Sequence, residues 1–550
     1  MAEATSSQNP QEMPLRKRET PSTPQFLLKC GQIYAAARQK MSAFWEEHSR
    51  GGTIEEMMLD SSAALINLQE KPEILSLLPD TDGKRVLELG AGIGRFTGHL
   101  AKIASHVTTV DFMEKFVVKN RELNGHRSNI NFLQADITQL ELPSNSFDLI
   151  FSNWLFMYLT DAELVGLVGR LLNWLQPGGF LFFRESCFYQ SGNMKRAFNP
   201  TVYRKPADYN HILTSAVMGP DMGGQLWGLE IVMSKSVQAY IKLKQNQNQV
   251  CWLLQKVVRD RLAHQGYHTF QQFLDGQQYS RNSILRYERI FGPGFISTGG
   301  LRTTQEFVKM LNLSPGQSVL DVGCGIGGGD FYMAKNYGVE VLGVDLSSNM
   351  VEIAMERAVS ENTSLVQFEI GDATKRVFLE NSFDVIYSRD TILHIADKVD
   401  LLRNLYRWLK PGGKLLITDY CCGERPWSSQ FQDYVEQRGY ILYTVERYQQ
   451  MLQEVGLVRV RGEDRTTQFV DVLQAELSGL EQNKVAFLQE FTDEDYHYIV
   501  SGWREKMSRC QQGDQHWGLF YGEKPAAGEV GALGGDQIQP PPTDWPPATV

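Results

Sequence analysis

The 550-residue sequence contains no apolar run that approaches the roughly 18–20 residues of a membrane-spanning helix. Its seven cysteines stand singly or as the neighbours Cys421 and Cys422 and form no C-x-x-C pair, which argues against a zinc site and a disulfide framework. The first 25 residues lack the apolar segment of a signal peptide, and the net charge of −10 gives no general attraction to nucleic acid. We therefore expect a monomeric cytoplasmic protein with no metal, no nucleic-acid partner and no membrane span.

Glycine, by contrast, is concentrated in one turn of the segment SVLDVGCGIGGGDFYMAKNYGVEVLGVD, from Ser318 to Asp345. The pattern predicts a buried strand, a glycine turn, a helix and a second strand that ends in Asp345. An acid at that position suits the two hydroxyls of a ribose. Asp321, inside the first strand, opposes a pyrophosphate but suits a ligand with a cationic amino-acid end, such as S-adenosylmethionine. For this segment alone, a purely structural turn is the alternative.

The same arrangement occurs a second time, in RVLELGAGIGRFTGHLAKIASHVTTVD from Arg85 to Asp111. Downstream, LQADIT corresponds to IGDATK, SFDLIFSNW to SFDVIYSRD, and WLQPGG to WLKPGG, at a spacing of 234 to 236 residues. A spacing that stays constant over several elements indicates a duplicated domain. We predict an α/β protein with two tandem Rossmann-like class I S-adenosylmethionine-dependent methyltransferase domains, each with a helical lid.

The composition predicts where these domains begin and end. We place a disordered tail at 1–33, the first domain at 34–258, a linker at 259–272, the second domain at 273–524, and a disordered tail rich in proline and glycine at 525–550. Late in the first domain, EIVMSKSVQAYIKLK and VCWLLQKVV predict two strands separated by a QNQNQ turn. We expect this hairpin to close the edge of the first sheet.

Residues at the predicted strand ends are candidates for binding S-adenosylmethionine, because their pattern recurs in both halves. The glycines would let the methionine portion approach, one acid would bind the ribose, and a second acid with the following N–H would bind the adenine. Asn153 and Arg389 would lie beside the methionine portion. The full set is Gly90, Gly92, Asp111, Asp136, Ile137 and Asn153 in the first half, and Gly323, Gly325, Asp345, Asp372, Ala373 and Arg389 in the second.

Segments outside the shared scaffold carry hydroxyl groups and cations, which complement a phosphate dianion. In the first half these candidates are Ser186, Ser191, Gly192, Arg196 and Tyr203. In the second half they are Gln278, Tyr279, Tyr287, Tyr420, Tyr434, Arg438, Tyr440 and Lys506. A solvated polar loop is the alternative for either cluster taken alone. Together they predict an acceptor that carries a phosphate monoester.

His394 is the candidate proton acceptor of the second half, four residues after Asp390. An amine arrives mostly as ammonium at neutral pH and must lose a proton before it attacks a methyl group. His394 would relay that proton while Tyr279 positions it, and Asp390 completes the candidate catalytic set; a purely structural histidine is the alternative. The matching residues of the first half are Tyr158 and Trp154, so we expect two chemically different sites.

The sequence resembles the tandem phosphoethanolamine N-methyltransferases, which form phosphocholine by three successive methyl transfers. The resemblance extends from about Phe44 to Lys524 and includes FWEEHS, EEMMLDS, LELGAGIGRFTG, FSNWLFMYL, RYERIFGPGFISTGG and YSRDTILHI. It implies that the first domain methylates phosphoethanolamine and that the second performs the remaining two steps. It also implies the pairing of Tyr279 with His394, and it adds Arg95 and Ser297 to the two cofactor sites.

Other functions stay open on sequence grounds. A methyltransferase for glycine or another small amine would share the scaffold, whereas a sterol or quinone would require an apolar acceptor pocket. A nucleic-acid amine methyltransferase would carry an N-P-P-[YF] motif, and the nearest match is Asn199-Pro200-Thr201. A non-catalytic scaffold is disfavoured because both halves retain the glycines and acids. The many tyrosines of the second half suit cation–π contact with an increasingly methylated ammonium.

Overall fold

The computed structural model describes residues 38–219, 224–259, 267, 269–526 and 528. The predicted N-terminal tail, most of the predicted linker and most of the predicted C-terminal tail lie outside these residues. Over the described part of the chain, no helix has both the length and the apolar character needed to cross a bilayer. Over the same part, no group of three or more His, Cys, Asp or Glu side chains is placed to hold a metal ion.

The first half is a Rossmann-like sheet preceded by helices. Its elements are α1 (38–48), α2 (Ile54–Met58), α3 (Ala63–Ser76), β1 (Arg85–Leu89), α4 (Thr97–Leu100), β2 (His106–Asp111), α5 (Glu114–Asn124), β3 (Ile130–Gln134), β4 (Phe147–Asn153), α6 (Asp161–Trp174), β5 (Leu175–Ser186), α7 (Pro206–Ser215), β6 (Val217–Met218), β7 (Trp227–Ser236), α8 (Gln238–Lys244) and β8 (Gln249–Val258). The strand order is β3-β2-β1-β4-β5-β8-β7. The strands from β3 to β5 in this order are parallel, β8 is antiparallel to β5, and β7 is antiparallel to β8.

The second half repeats this architecture. Its elements are α9 (Phe270–Phe273), α10 (Arg281–Phe291), α11 (Gly300–Met310), β9 (Ser318–Val322), α12 (Gly328–Tyr337), β10 (Glu340–Asp345), α13 (Ser348–Glu361), β11 (Val366–Gly371), β12 (Phe383–Arg389), α14 (Lys398–Trp408), β13 (Leu409–Cys422), α15 (Ser429–Arg438), α16 (Val445–Glu454), β14 (Val458–Asp464), α17 (Thr466–Gln482), α18 (Lys484–Phe487), α19 (Asp493–Gln511) and β15 (Gln515–Glu523). The order β11-β10-β9-β12-β13-β15-β14 matches that of the first half, and the predicted duplicated α/β fold is confirmed.

Local sequence explains why the elements begin and end where they do. The strands are apolar on both faces because helices cover both sides of a parallel sheet, and Val86, Leu87 and Leu89 of β1 are fully buried. Helix α6 begins after Thr160, whose hydroxyl accepts the backbone N–H of Glu163 while that glutamate binds the Thr160 N–H in return. Short 3-10 turns, Phe156–Tyr158 and Ile392–His394, follow β4 and β12 and lead into the two sites.

The two halves share one continuous sheet, which corrects the prediction of a hairpin that closes the first sheet. Strands β7 and β8 do pair, but residues 238–244 form helix α8, and the outer edge of β7 pairs with β11 of the second half. The joint lies at Met233↔Gly371, Ser234↔Ile370 and Lys235↔Glu369. Strand β7 is buried on both faces, so its edge needs a covering strand, whereas a free apolar edge would promote aggregation.

Buried polar side chains connect the halves beside this joint. The amide Nδ2 of Asn210 donates to Oε1 of Glu352 in the second half at 2.7 Å, and its Oδ1 accepts from Nε1 of Trp252 at 2.8 Å. All three residues are buried. Gln247 adds a donor to the backbone oxygen of Val366 at 2.8 Å. The interface is therefore specified by hydrogen bonds as well as by strand pairing.

We expect Asn210→Ala to lower the free energy of unfolding by about 1–3 kcal/mol, because it leaves the Trp252 N–H and the Glu352 carboxyl buried without their partner. Equilibrium denaturation would measure the loss. The control is Asn336→Ala, which removes only an exposed bond to the Tyr332 oxygen of its own helix and should change stability by less than about 0.5 kcal/mol. Equal effects of the two substitutions would contradict a specific role of Asn210 at the interface.

Candidate functional site

A cavity opens at the carboxyl ends of the parallel strands in each half. The first is lined by every first-half candidate: Gly90, Gly92, Arg95, Asp111, Asp136, Ile137, Asn153, Ser186, Ser191, Gly192, Arg196 and Tyr203. The second is lined by Tyr279, Ser297, Gly323, Gly325, Asp345, Asp372, Ala373, Arg389, Asp390 and His394. The structure therefore brings the predicted cofactor residues of each half together around one space.

The glycine turns fix the carboxylate at the end of the second strand of each half. Gly92 has φ 54° and donates its N–H to Oδ2 of Asp111 at 2.8 Å, and the N–H two residues after the aspartate donates to Oδ1 at 2.9 Å. Gly325, with φ 55°, binds Asp345 in the same way, at 2.9 and 2.8 Å. Glycine adopts this left-handed backbone readily. Each carboxylate oxygen keeps a lone pair for a ligand, and burial raises the pKa of both aspartates to about 6.

The acids that follow the third strands are held by Asx turns. Oδ1 of Asp136 accepts the N–H and the hydroxyl of Thr138 at 2.8 and 2.7 Å. Oδ1 of Asp372 accepts the same two groups of Thr374 at 2.9 and 2.6 Å. Asp136 and Asp372 each line their cavity beside the next residue of the chain. The two halves thus offer the same pair of anchored acids.

A buried ion-pair network supports the first cavity. Glu70 of α3 binds Arg95 and, at 2.7 Å, Nη2 of Arg184. Arg184 also donates Nε–H to Oδ1 of Asn153 at 2.8 Å, and its guanidinium lies 3.7 Å from the ring centre of Trp154. These contacts fix Arg95 and Asn153 at the floor of the cavity. Arg184 and Glu70 are both fully buried, so each ion compensates the other.

The candidate phosphate ligands of the first half form another part of the cavity lining. Nη1 of Arg196 is 3.5 Å from the Tyr203 hydroxyl oxygen, and its Nε is buried with no hydrogen-bond partner among the described residues. Gly192 lies against the backbone of α2, where an added Cβ would meet the Leu59 oxygen at 2.4 Å. The wall thus presents a cation that retains donor capacity, together with the hydroxyl groups of Ser186 and Tyr203.

In the second half, Tyr279 and His394 lie side by side. The Tyr279 hydroxyl oxygen is 3.4 Å from Nε2 of His394, while Nδ1 is buried and has no partner among the described residues. Burial, helped by the positive charges of Lys398 and Arg438, lowers the pKa of His394 to about 3. The imidazole is therefore neutral at physiological pH, and one of its ring nitrogens carries an unshared lone pair.

The remaining second-half candidates adjoin the cavity behind His394. They are Gln278, Tyr287, Tyr420, Tyr434, Arg438, Tyr440 and Lys506. The ring of Tyr440 lies 5.1 Å from that of His394, and 5.7 and 6.4 Å from the rings of Tyr434 and Tyr420. Gln278 donates to the backbone oxygen of Arg438 at 3.3 Å. The predicted phosphate cluster is thus assembled, but it forms a compartment next to the cavity that contains the strand-end acids.

Two of the candidates in this compartment, Arg438 and Lys506, are cations. Nη2 of Arg438 donates to the Tyr498 hydroxyl at 3.2 Å, a contact that the sequence analysis missed. Nζ of Lys506 lies 5.8 Å from the ring centre of Tyr420 and 4.4 Å from that of Trp503. Burial lowers the pKa of Lys506 to about 8, although the Glu476 carboxylate acts in the opposite direction. Arg438 and Lys506 thus lie among phenolic and aromatic side chains, and their positive charges complement an anion.

A buried arginine supports each site, but the two arginines lie on strands that do not correspond to each other in the repeat. In the first half, Arg184 on β5 binds Asn153 on β4; in the second, Arg389 on β12 binds Thr418 on β13. Arg389 donates to the hydroxyls of Thr418 and Thr304 at 3.1 and 3.2 Å and to the Thr298 backbone oxygen at 2.8 Å. The guanidinium of Arg389 is thus held mainly by threonines while the residue lines the cavity.

Each site contains a hydrogen bond from a tryptophan indole, but the tryptophan stands at a different position in the two halves. Trp154 donates Nε1–H to Oε1 of Gln249 at 2.7 Å in the first half, whereas Trp517 donates to Oδ1 of Asp390 at 2.8 Å in the second. Gln249 pairs with Ser186 in the sheet, just as Trp517 pairs with Tyr420. The first cavity therefore presents an indole where the second presents a carboxylate, and Oδ2 of Asp390 has no hydrogen-bond partner among the described residues.

Comparison with known proteins assigns the chain to a family. Residues 86–179 and 320–417 each match a model described as a methyltransferase domain. A phosphoethanolamine N-methyltransferase of Triticum aestivum is 55% identical over 491 residues, which cover 88% of this chain and 95% of that protein. The chain belongs to the phosphoethanolamine N-methyltransferase family. Phosphoethanolamine N-methyltransferase 3 of Arabidopsis thaliana is 52% identical over 493 residues, or 89% of this chain and 99% of that protein.

A solved member of the phosphoethanolamine N-methyltransferase family is also similar in structure. Haemonchus contortus phosphoethanolamine N-methyltransferase 2, in complex with phosphomonomethylethanolamine and S-adenosylhomocysteine, superposes with a TM-score of 0.69 at 27% identity. The match covers 84% of this chain and 99% of that one. The predicted resemblance is confirmed for the family and for the fold.

The sequence analysis missed the residues of this chain that support the first site. Glu70, Arg184 and Gln249 have no place in a strand-end motif. A signal for one of them existed, because Arg184 interrupts the apolar strand LFFRES and a buried arginine requires an acidic partner. Nothing local identified that partner as Glu70, which lies 114 residues earlier in the chain. Trp45 and Met57, from the helices ahead of β1, also line the first cavity.

Proposed function

We propose that the protein transfers three methyl groups from S-adenosylmethionine to the nitrogen of phosphoethanolamine and so forms phosphocholine. The observation that carries the proposal is the occurrence, twice in one chain, of glycine-anchored strand-end acids beside a cluster of hydroxyls and cations that suits a phosphate. The names of the relatives and the phosphomonomethylethanolamine bound by the Haemonchus contortus protein support the same acceptor. Both cavities are built within a single chain, so we propose that the protein acts as a monomer. We also propose that it acts on free phosphobases in the cytoplasm.

The residues of both cavities fit S-adenosylmethionine. Asp111 and Asp345 would hold the two ribose hydroxyls, since each carboxylate is anchored by backbone N–H groups and keeps lone pairs. The turn at Gly325 is tight, because an added Cβ would lie 2.6 Å from the Ile296 side chain, which would have to move. Asp136 and Asp372 would take the adenine edge together with the next N–H. When bound, the cofactor supplies a methyl group that its sulfonium makes electrophilic.

The two sites would share the work, with the first methylation in the domain we place at 34–258 and the later two in the domain at 273–524. The first site would hold the phosphate with Arg196 and its neighbouring hydroxyls. The second site would hold it with Arg438, Lys506 and the surrounding tyrosines. The difference that supports this division is the exchange of Trp154 for Asp390, which changes a neutral indole into a carboxylate next to the acceptor nitrogen.

In the second site, the residues of the chain would remove the proton of the acceptor and stabilise its charge. Asp390 has a carboxylate oxygen without a partner among the described residues, and it would attract the arriving ammonium. The neutral His394 would accept the proton, with the Tyr279 hydroxyl 3.4 Å from Nε2 orienting the imidazole. The Tyr440 ring next to His394 offers a π face to the increasingly methylated nitrogen.

Product analysis tests this function directly. The full chain is incubated with S-adenosylmethionine and either phosphoethanolamine or ethanolamine, and the products are identified by mass. We expect phosphocholine from the phosphorylated amine alone, because the clusters of arginine, lysine and hydroxyl groups select a phosphate. Equal methylation of the two amines would contradict the proposed acceptor.

Cofactor affinity should depend on pH through the strand-end aspartates. A ribose hydroxyl donates to a carboxylate, and burial raises the pKa of Asp111 and Asp345 to about 6. We therefore expect the dissociation constant of S-adenosylmethionine to be constant above about pH 7 and to rise by up to about tenfold per pH unit well below pH 6. Calorimetry from pH 5 to 8 would measure the change. Asp345→Asn should weaken binding at the second site and reduce its pH dependence, of which Asp321 keeps a part because burial raises the pKa of that carboxyl to about 7 in the same cavity. Tighter binding at low pH would contradict the assignment.

A further inference from the structure

Gln249 is a buried residue of the first site that no strand-end motif includes. Its Oε1 accepts from Nε1 of Trp154 at 2.7 Å and from Nη1 of Arg184 at 2.9 Å. Its Nε2 donates to the Oγ atoms of Ser186 and Ser191 at 2.5 and 2.6 Å. One side chain thus joins the indole under the cavity to two of the predicted phosphate ligands.

The orientation of this amide is determined by its partners. An indole N–H and a guanidinium only donate hydrogen bonds, so they require the amide oxygen and cannot be satisfied by the amide nitrogen. The Nε2 group must then face the two serines. Since Nε2 only donates, the hydroxyl oxygens of Ser186 and Ser191 act as acceptors, and their protons point elsewhere.

The two serines differ in what remains available to a ligand. The Ser191 hydroxyl donates to Oδ1 of Asn248, and its oxygen accepts a second bond from Nδ2 of Asn246 at 3.2 Å. With the bond from Gln249, its one proton and two lone pairs are all used. The Ser186 hydroxyl has no acceptor for its proton among the described residues, and Ser186 lines the cavity. Ser186 is therefore the serine whose proton can be offered to a ligand.

We propose that Gln249 is the positioning residue of the first site, and that it fixes the Ser186 hydroxyl as a hydrogen-bond donor to the acceptor phosphate. The inference rests on the proposed function of this site. It adds the direction of one hydrogen bond, which the Ser186 hydroxyl donates to the phosphate. The second site lacks the device, because Trp517 holds the equivalent position and donates to Asp390.

Gln249→Glu tests the direction of this hydrogen bond, because it replaces the Nε2 donor by an oxygen acceptor without changing the size of the side chain. The carboxylate still accepts from Trp154 and Arg184, but its second oxygen now also accepts, so it draws the Ser186 proton away from the phosphate. We expect KM for phosphoethanolamine in the first methylation to rise about tenfold, with kcat changed by less than about threefold. Turnover of monomethylphosphoethanolamine, which takes place in the second site, should be unchanged and also reports that the variant is folded.

Two controls separate positioning from a general structural role. Gln255→Glu makes the same change further along β8, where Nε2 of Gln255 donates to the Gly178 oxygen at 3.0 Å, and it should leave KM unchanged. Ser186→Ala should raise KM by a similar factor, and the double variant Gln249→Glu/Ser186→Ala should not exceed Ser186→Ala by more than about twofold. A merely structural role predicts additive effects and losses in kcat.

The outcomes distinguish this inference from the proposed function. If Ser186→Ala raises KM and Gln249→Glu does not, Gln249 has no positioning role and the function stands. If neither Ser186→Ala nor Arg196→Gln affects phosphoethanolamine turnover, the proposed first site is rejected along with the inference. Should Gln249→Glu lose the second-site activity through misfolding, Gln249→Met replaces it. That variant frees the Ser186 hydroxyl to rotate, so a KM unchanged from wild type would overturn the inference.

Discussion

His394→Ala is expected to stop the second and third methylations while the first continues. Phosphoethanolamine should then accumulate as its monomethyl form, with phosphocholine production reduced by about 10²- to 10⁴-fold. The reason is that the variant removes the neutral imidazole that lies 3.4 Å from the Tyr279 hydroxyl. Without it, a bound ammonium loses the histidine that we propose receives its proton. Mass analysis of the products over time would measure both steps in one reaction.

Two further variants complete this experiment. Tyr279→Phe keeps the aromatic ring but removes the hydroxyl 3.4 Å from Nε2 of His394, which we propose orients the imidazole, so we expect a smaller reduction, of about tenfold. His497→Ala removes an exposed histidine that pairs with Asp493 outside the site, and it should have no effect. Phosphocholine formation at the wild-type rate in both His394→Ala and Tyr279→Phe would remove this pair from the chemistry.

Much of the fold, and the placement of the candidate cofactor residues at one edge of each sheet, could be predicted because the information is local. A glycine turn such as that at Gly92 follows its strand directly, and the acid at the end of the next parallel strand, Asp111, necessarily reaches the same sheet edge. The internal duplication then gives each assignment a second, independent occurrence, as in Gly325 and Asp345. These positions follow from strand order alone, and the structure places all four at cavity walls.

The remaining features depend on contacts between distant segments. The joint between β7 and β11 brings Met233 next to Gly371. The sequence of an apolar strand does not indicate which other strand it will pair with. The Trp154–Gln249 bond spans 95 residues, and the Trp517–Asp390 bond spans 127. A comparison of the two repeats aligns Trp154 with Asp390. It does not reveal that each of them contacts a side chain on the last strand of its half, Gln249 on β8 or Trp517 on β15. Such pairs become visible only when the strands are packed together.

The proposed division of labour between the sites makes its strongest prediction for the two arginines that are candidates to bind the phosphate. Arg196→Gln should raise KM for phosphoethanolamine about 100-fold, whereas Arg438→Gln should do so for the monomethyl substrate, because each change removes a charge-assisted bond to the phosphate. Steady-state kinetics with each substrate in turn would measure both effects. The glutamine keeps a polar side chain, so the variants lose the cation while retaining hydrogen-bonding capacity.

Each arginine variant serves as the control for the other. Arg196 lies on the wall of the first cavity, and Arg438 contacts Tyr498 in the compartment behind His394, so neither change should affect the substrate of the other site. Arg447→Gln, which breaks only a pair with Glu454 on the exposed face of α16, should leave both substrates unaffected. If either site variant impaired both substrates equally, the two cavities would not act on separate steps. A single site would then have to methylate every intermediate, and the exchange of Trp154 for Asp390 would need a different explanation.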